Sequence, residues 1–209
     1  MTKKETARMV QGWEVFDSFL VGDQEVIVGF DASAIKNKYL VSYVRKDNDF
    51  GMEEYFESIG TDEYLEAMSL YSRRTADQVK KTQDERDKIG ITEVIGLDAC
   101  MSIADLNLEN MVVVIRPELL RPEYQTADRQ IMIATGGAGC RADSLGTSVF
   151  VTYLYSGEQG RFNRAHILGV IKPERIPDWA KSKLGELRNE KQVPIRPVAR
   201  KRDSDDRER

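Results

Sequence analysis

Apolar and polar positions divide the first part of the chain into short runs bounded by turn residues. Trp13–Val21 (WEVFDSFLV) alternates poorly but is aromatic and β-branched, and Gln24–Phe30 (QEVIVGF) and residues 38–45 (KYLVSYVR) share that character. Such runs predict strands. Gly22-Asp23 joins the first two as a hairpin, and residues 31–37 form a turn or a short helix. Residues 46–49 (KDND) predict a turn rich in Asx side chains that bond to the local backbone. Residues 52–59 fit either a strand or the opening turn of a helix.

The spacing becomes helical after Gly60. Tyr64, Met68, Tyr71, Thr75 and Val79 recur at intervals of three and four, with Leu65 beside them, and predict a helix over 62–88. Thr61 suits the N-cap, Asp62 and Glu63 suit the positive end of the dipole, and Gly90 suits the C-terminal stop. The second half of this segment, KKTQDERDKIG, is almost wholly charged. It predicts a solvated extension that stabilises itself through i,i+4 pairs.

Further on, residues 91–96 are short and apolar, and 97–110 read as irregular or weakly helical. The run MVVVI at 111–115 predicts a central strand buried on both faces, ended by Arg116-Pro117. One helical turn fits 118–124. The stretch 129–173 organises the rest: a strand at 130–134, the loop TGGAGC at 135–140, a strand at 148–155, a turn at 156–160 and a strand at 167–171. Three glycines in four positions, Gly136, Gly137 and Gly139, imply positive φ or closely packed backbone. Residues 173–187 predict an amphipathic helix with Pro177 in its first turn and Trp179, Leu184 and Leu187 turned to the sheet. Residues 188–209 are charged, lack apolar periodicity and predict a disordered tail. The expected fold is α+β: a mainly antiparallel sheet, one long helix, a short C-terminal helix and the tail. A single domain is expected over 12–187, behind a frayed segment at 1–11.

Composition narrows the class. The chain of 209 residues is 41% hydrophobic and 32% charged, enough for a sizeable core. No apolar run approaches the ~20 residues of a membrane span, and the N-terminal segment has no apolar core of a secretory signal. Two cysteines are too few for a disulfide framework, so a reduced, cytoplasmic compartment is expected. The net charge of −4 is uneven: residues 188–209 carry eight Lys and Arg against five Asp and Glu, which leaves −7 on the body. That argues against a DNA-coating protein and leaves room for a basic partner, such as the groove of a nuclease.

Candidate chemistry is sparse. Gly137-x-Gly139-x-x-Ala142 matches the dinucleotide fingerprint in form, but a strand-like run follows it where a helix N-terminus is needed. A wide turn or bulge is the plainer reading. Cys140 and His166 could make a nucleophile–base pair, yet no third group orients them, and with Cys100 they lack the spacing of a zinc site. No catalytic residue, metal or cofactor is therefore assigned. Asp47, Asp49, Glu53, Glu54 and Glu57 form a local acidic cluster, either a solvated turn or a surface that attracts a basic partner. Tyr153, Arg161, Phe162 and Arg164 offer aromatics and cations on one sheet, a pattern that binds single-stranded nucleic acid by stacking and also occurs as ordinary cross-strand pairing.

Three segments together carry a resemblance: VVVIRPELLRPEYQTADRQIMIATGGAGC, SLGTSVFVTYLYSGEQGRFNR and ILGVIKPERIPDWAKSKL, with DEYLEAMSLYSRR upstream. The chain resembles a domain of conjugative and integrative elements of Firmicutes, of the type associated with the large polyvalent proteins of such elements and of phages. The likeness spans residues 13–187. Ala138 and Cys140 depart from its pattern, where a bulkier aromatic and a variable residue are expected. The resemblance implies a protein that a mobile element deploys on entering a new host, in a setting where antirestriction and anti-CRISPR factors occur. It supplies no catalytic residues. The leading expectation is a non-enzymatic accessory protein that inhibits host defence by binding a defence protein, with a CRISPR nuclease or its guide complex as the expected target. The alternatives are a nucleic-acid-binding module and a nucleotide-dependent or Cys–His enzyme centred on the glycine loop.

Overall fold

A computed structural model describes residues 7–45, 52–143 and 145–191. The chain forms two compact units, Met1–Gly90 and Ile91–Arg209, each with its own antiparallel sheet, where the sequence suggested one sheet. The α+β class holds.

The first unit is an antiparallel meander. Strands β1 (Met9–Val10), β2 (Trp13–Val21), β3 (Gln24–Phe30), β4 (Tyr39–Arg45) and β5 (Glu54–Thr61) lie side by side in sequence order. Helix α1 (Tyr64–Ile89) follows β5 and packs on one face, over Val26, Val28 and Val41. Burying each such side chain contributes about 1.5–3 kcal/mol. The opposite face buries Ile27, Leu40 and Val44 beneath Val10, Trp13, Val15 and Tyr55. The ambiguous segment at 52–59 is thus a strand, and Gly90 ends the helix with φ +68°. Thr61 sits two residues ahead of the N-cap residue Glu63 and accepts a bond from its amide at 3.2 Å.

Helix α1 presents a different face from the one its apolar spacing suggested. The buried stripe is Ala67, Tyr71, Arg74, Gln78 and Thr82, while Tyr64, Leu65 and Val79 are exposed. Polar side chains face the sheet because they reach backbone oxygens there. Arg74 donates to the carbonyls of Val41 (3.0 Å) and Glu57 (2.5 Å) and lies over the ring of Tyr43. Gln78 donates to the Val21 carbonyl and the Asp23 carboxylate, and Lys81 pairs with Asp23. Lys81 and Thr82, at the start of the charged half of α1, are therefore docked on the β2–β3 hairpin, while residues 83–88 are exposed, as a solvated extension requires. Gly22 permits the approach: its φ is +65°, and a Cβ there would stand 2.3 Å from Oγ1 of Thr82.

The second unit holds β6 (Cys100–Met101), β7 (Val112–Ile115), β8 (Ile131–Gly136), β9 (Ser148–Tyr153), β10 (Gln159–Asn163) and β11 (Ile167–Ile171), in the order β10-β9-β8-β7-β11-β6. Every residue of β7 is buried, as a continuous apolar run requires. One face packs Val112, Val114, Ile131 and Ile171 against Ala180 and Leu184 of helix α3 (Asp178–Lys191). The other buries Val113, Ile115, Met132, Val149 and Val151 with Leu108 and Cys140. A four-residue helix, α2 (Ala127–Gln130), leads into β8. The single turn expected at 118–124 is two 3-10 turns, Pro117–Leu119 and Pro122–Tyr124. Helix α3 starts one residue after Pro177, whose carbonyl accepts the Lys181 amide, and it continues four residues beyond Leu187. The rest of the expected tail, 192–209, lies outside the described residues.

Candidate functional site

The glycine loop is a packed structural turn. A register shift between Ala134 and Gly136 puts a bulge at the end of β8, and a 3-10 turn over Ala138–Cys140 follows instead of a helix. Gly137 has φ +101°, and a Cβ there would lie 2.4 Å from the Ser148 carbonyl. A Cβ on Gly139 would lie 2.3 Å from the Thr147 carbonyl. The glycines thus admit the chain's own backbone, and the close approach that a pyrophosphate needs is already taken.

Arg164 locks this loop. Its guanidinium donates to the carbonyls of Gly139 (2.8 Å), Cys140 (2.9 Å), Leu106 (2.9 Å) and Ile103. Five fixed donors suit arginine to such a cluster of oxygens. Tyr153 and Phe162 meet edge to face at 6.3 Å and pack, half-buried, on the core of the second unit. Arg161 is exposed and lies opposite Phe150. Of the four residues expected to form a nucleic-acid face, the structure joins the two aromatics, leaves Arg161 at the surface and commits Arg164 to protein carbonyls.

Cys140 is 2% exposed, and its thiol donates to the Gly136 carbonyl at 2.9 Å. Burial, with Glu109 adding to it, raises its pKa. Burial likewise pushes Cys100 up to about 11. Both thiols are held protonated, the opposite of an activated nucleophile. His166 is exposed, and no hydrogen bond joins its side chain to Cys140. Among the described residues, no group of three His, Cys, Asp or Glu side chains could hold a metal ion. No described helix is long and apolar enough to cross a membrane.

The acidic cluster separates into parts. Asp47 and Asp49 lie outside the described residues. Glu53 pairs with Arg8 at 3.0 Å and accepts the Tyr55 hydroxyl. Arg8 also bonds Glu25 at 2.8 Å. Burial opposes the Arg8 charge, and these carboxylates more than offset it, so its pKa rises. Glu54 is exposed at the start of β5. Glu57 sits at a register shift in β5 with φ +51°, and Arg74 holds its carbonyl. Residues 13–66, which include this cluster, carry thirteen Asp and Glu against four Lys and Arg, a net of −9.

Pairing brings together a group that the linear sequence keeps apart. Glu14 lies opposite Phe30, and Phe30 opposite Tyr39, so the three form one row across β2, β3 and β4. Tyr39 meets Phe30 at 5.0 Å and the helix residue Tyr64 edge-on at 5.7 Å. With Phe16 they line an open groove of ≈ 440 Å³ at the N-terminal end of α1. No cation among the described residues pairs with the Glu14 carboxylate. Residues 50 positions apart in the chain gave no local signal of this site. No protein family, curated protein or solved structure matches the chain.

Proposed function

We propose that the chain is a non-enzymatic accessory protein of a mobile genetic element that inhibits host defence by binding a defence protein, with a CRISPR nuclease as the target class. The charge of residues 13–66 carries this reading: this segment of the first unit has a net charge of −9. Grooves that hold nucleic acid are lined with Lys and Arg, and an acidic surface complements them, speeding encounter and fixing orientation. The buried, protonated thiols and the self-filled glycine loop support binding rather than catalysis. The commitment of Arg164 to four carbonyls weighs against direct nucleic-acid binding.

A plasmid-interference assay tests the proposal. Cells carrying a CRISPR nuclease and a matching target plasmid should retain the plasmid when the protein is expressed. The purified protein should bind the nuclease more weakly as salt rises, and free nucleic acid should compete. Unchanged plasmid loss, together with submicromolar retention of single-stranded DNA by the protein alone at physiological salt, would replace this reading with that of a nucleic-acid-binding module.

A further inference from the structure

We infer that the groove formed by Glu14, Phe16, Phe30, Tyr39 and Tyr64 binds an arginine side chain presented by a basic protein segment. This rests on the protein-binding reading above and names the chemistry of its contact. Four aromatic rings line the groove, and Phe16 and Tyr64 are roughly half exposed, at 46% and 49%. Phe30 meets Tyr39 and Tyr39 meets Tyr64, and aromatic rings that line an open, partly exposed groove mark a recognition surface more than a core. The faces of such rings carry negative potential and attract cations within about 6 Å.

Charge selects the occupant. The single ionisable carboxylate in the lining is Glu14, and it has no cationic partner among the described residues. A nucleobase could stack on the same rings. Its phosphates, however, would then lie beside Glu14 and within a segment of net charge −9. A guanidinium satisfies both features at once. Its flat, weakly hydrated face stacks on an aromatic ring, while its edge donates two parallel hydrogen bonds to a carboxylate. The volume of the groove, ≈ 440 Å³, falls within the range of pockets that hold small groups. The geometry also leaves the groove accessible: α1 begins at Tyr64 and runs away from the row of Glu14, Phe30 and Tyr39.

The test titrates the full chain with an alternating glycine–arginine peptide and follows backbone-amide NMR shifts. A second peptide carries citrulline, the neutral isostere, in place of arginine, and the third probe is a short oligonucleotide of thymidine. The arginine peptide should shift the amides of residues 14, 16, 30, 39 and 64. It should bind about tenfold more tightly than the citrulline peptide, the margin expected of a cation–π contact combined with a charge-assisted bond to a carboxylate. Glu14→Gln and Tyr64→Ala should each weaken it by a similar factor. Both residues are exposed, and circular dichroism should show an unchanged fold. Equal affinity for arginine and citrulline peptides, or binding insensitive to both substitutions, would overturn the inference, as would preferential binding of the oligonucleotide. The two readings fail separately. Plasmid protection without arginine-peptide binding removes only the groove, whereas peptide binding without protection removes only the defence target.

Discussion

Gln130 forms two hydrogen bonds to the backbone of a single residue, Ile95. The Ile95 amide donates to Oε1 at 2.8 Å, and Nε2 donates back to the Ile95 carbonyl at 3.1 Å. A further bond from Nε2 reaches the Ile115 carbonyl at 3.2 Å. The side chain is fully buried. It serves segment 91–96 as a neighbouring strand would, and ties it to β7. Gln130→Leu keeps the bulk but leaves three backbone groups without partners. Stability should fall by about 2–4 kcal/mol, measured by urea unfolding. A loss below about 0.5 kcal/mol would mean that water or a shifted backbone replaces these bonds.

Arg164 should act on stability rather than on ligand binding. Lysine cannot reproduce a planar fork that reaches Gly139, Cys140, Ile103 and Leu106 together. Arg164→Lys should therefore cost about 2–3 kcal/mol in urea unfolding. Arg161→Lys, at an exposed position, should stay within about 0.5 kcal/mol of the parent. Arg161→Glu is then the informative charge reversal for nucleic-acid retention, because any effect of Arg164→Glu would be confounded by unfolding. Equal stability of the Arg164→Lys and Arg161→Lys variants would contradict the clamp.

What could be read from the chain follows physical range. The run Val112–Ile115 is uniformly apolar and becomes the strand buried on both faces. The hairpin of Trp13–Val21 and Gln24–Phe30 has local turn chemistry and forms with those bounds. Helix α1 was legible in extent but not in orientation. Apolar periodicity ignores Arg74 and Gln78, whose polar ends reach carbonyls of Val41, Glu57 and Val21. Glu53 likewise reads as a free acid until Arg8 is seen beside it. The aromatic row was illegible because Glu14, Phe30 and Tyr39 become neighbours only through strand register.

The dock between α1 and the hairpin should be sensitive to acid. Burial works against ionised Asp23, but bonds from Lys81 and Gln78 outweigh it and depress its pKa below the usual value. A carboxyl whose folded pKa is depressed contributes stability above its unfolded pKa of about 3.9. That contribution is lost as pH falls through the lower, folded value. Unfolding measured between pH 7 and pH 2 should show a shallower acid limb in Asp23→Asn than in the parent. Superimposable limbs would mean that Lys81 and Gln78 do not hold the carboxylate in solution.

The acidic strand should separate charge from structure through two adjacent residues. Glu53 bonds Arg8 and Tyr55, so Glu53→Lys places two cations together where a pair had been. It should lower the melting temperature as well as weaken binding. Glu54 is exposed, stands opposite Arg45 and has no ion pair among the described residues, so Glu54→Lys changes the surface field at a smaller cost to the fold than Glu53→Lys. If the acidic face steers the chain onto a basic nuclease groove, Glu54→Lys should slow association a few-fold at low salt and leave dissociation nearly unchanged. The difference from the parent should shrink as salt rises, because the screening length falls from about 10 Å at 0.1 M to about 3 Å at 1 M. Stopped-flow association rates across that range decide the matter. A slowing that persists undiminished at 1 M salt would assign Glu54 to the packed contact itself, and an unchanged rate at low salt would remove this strand from the interface.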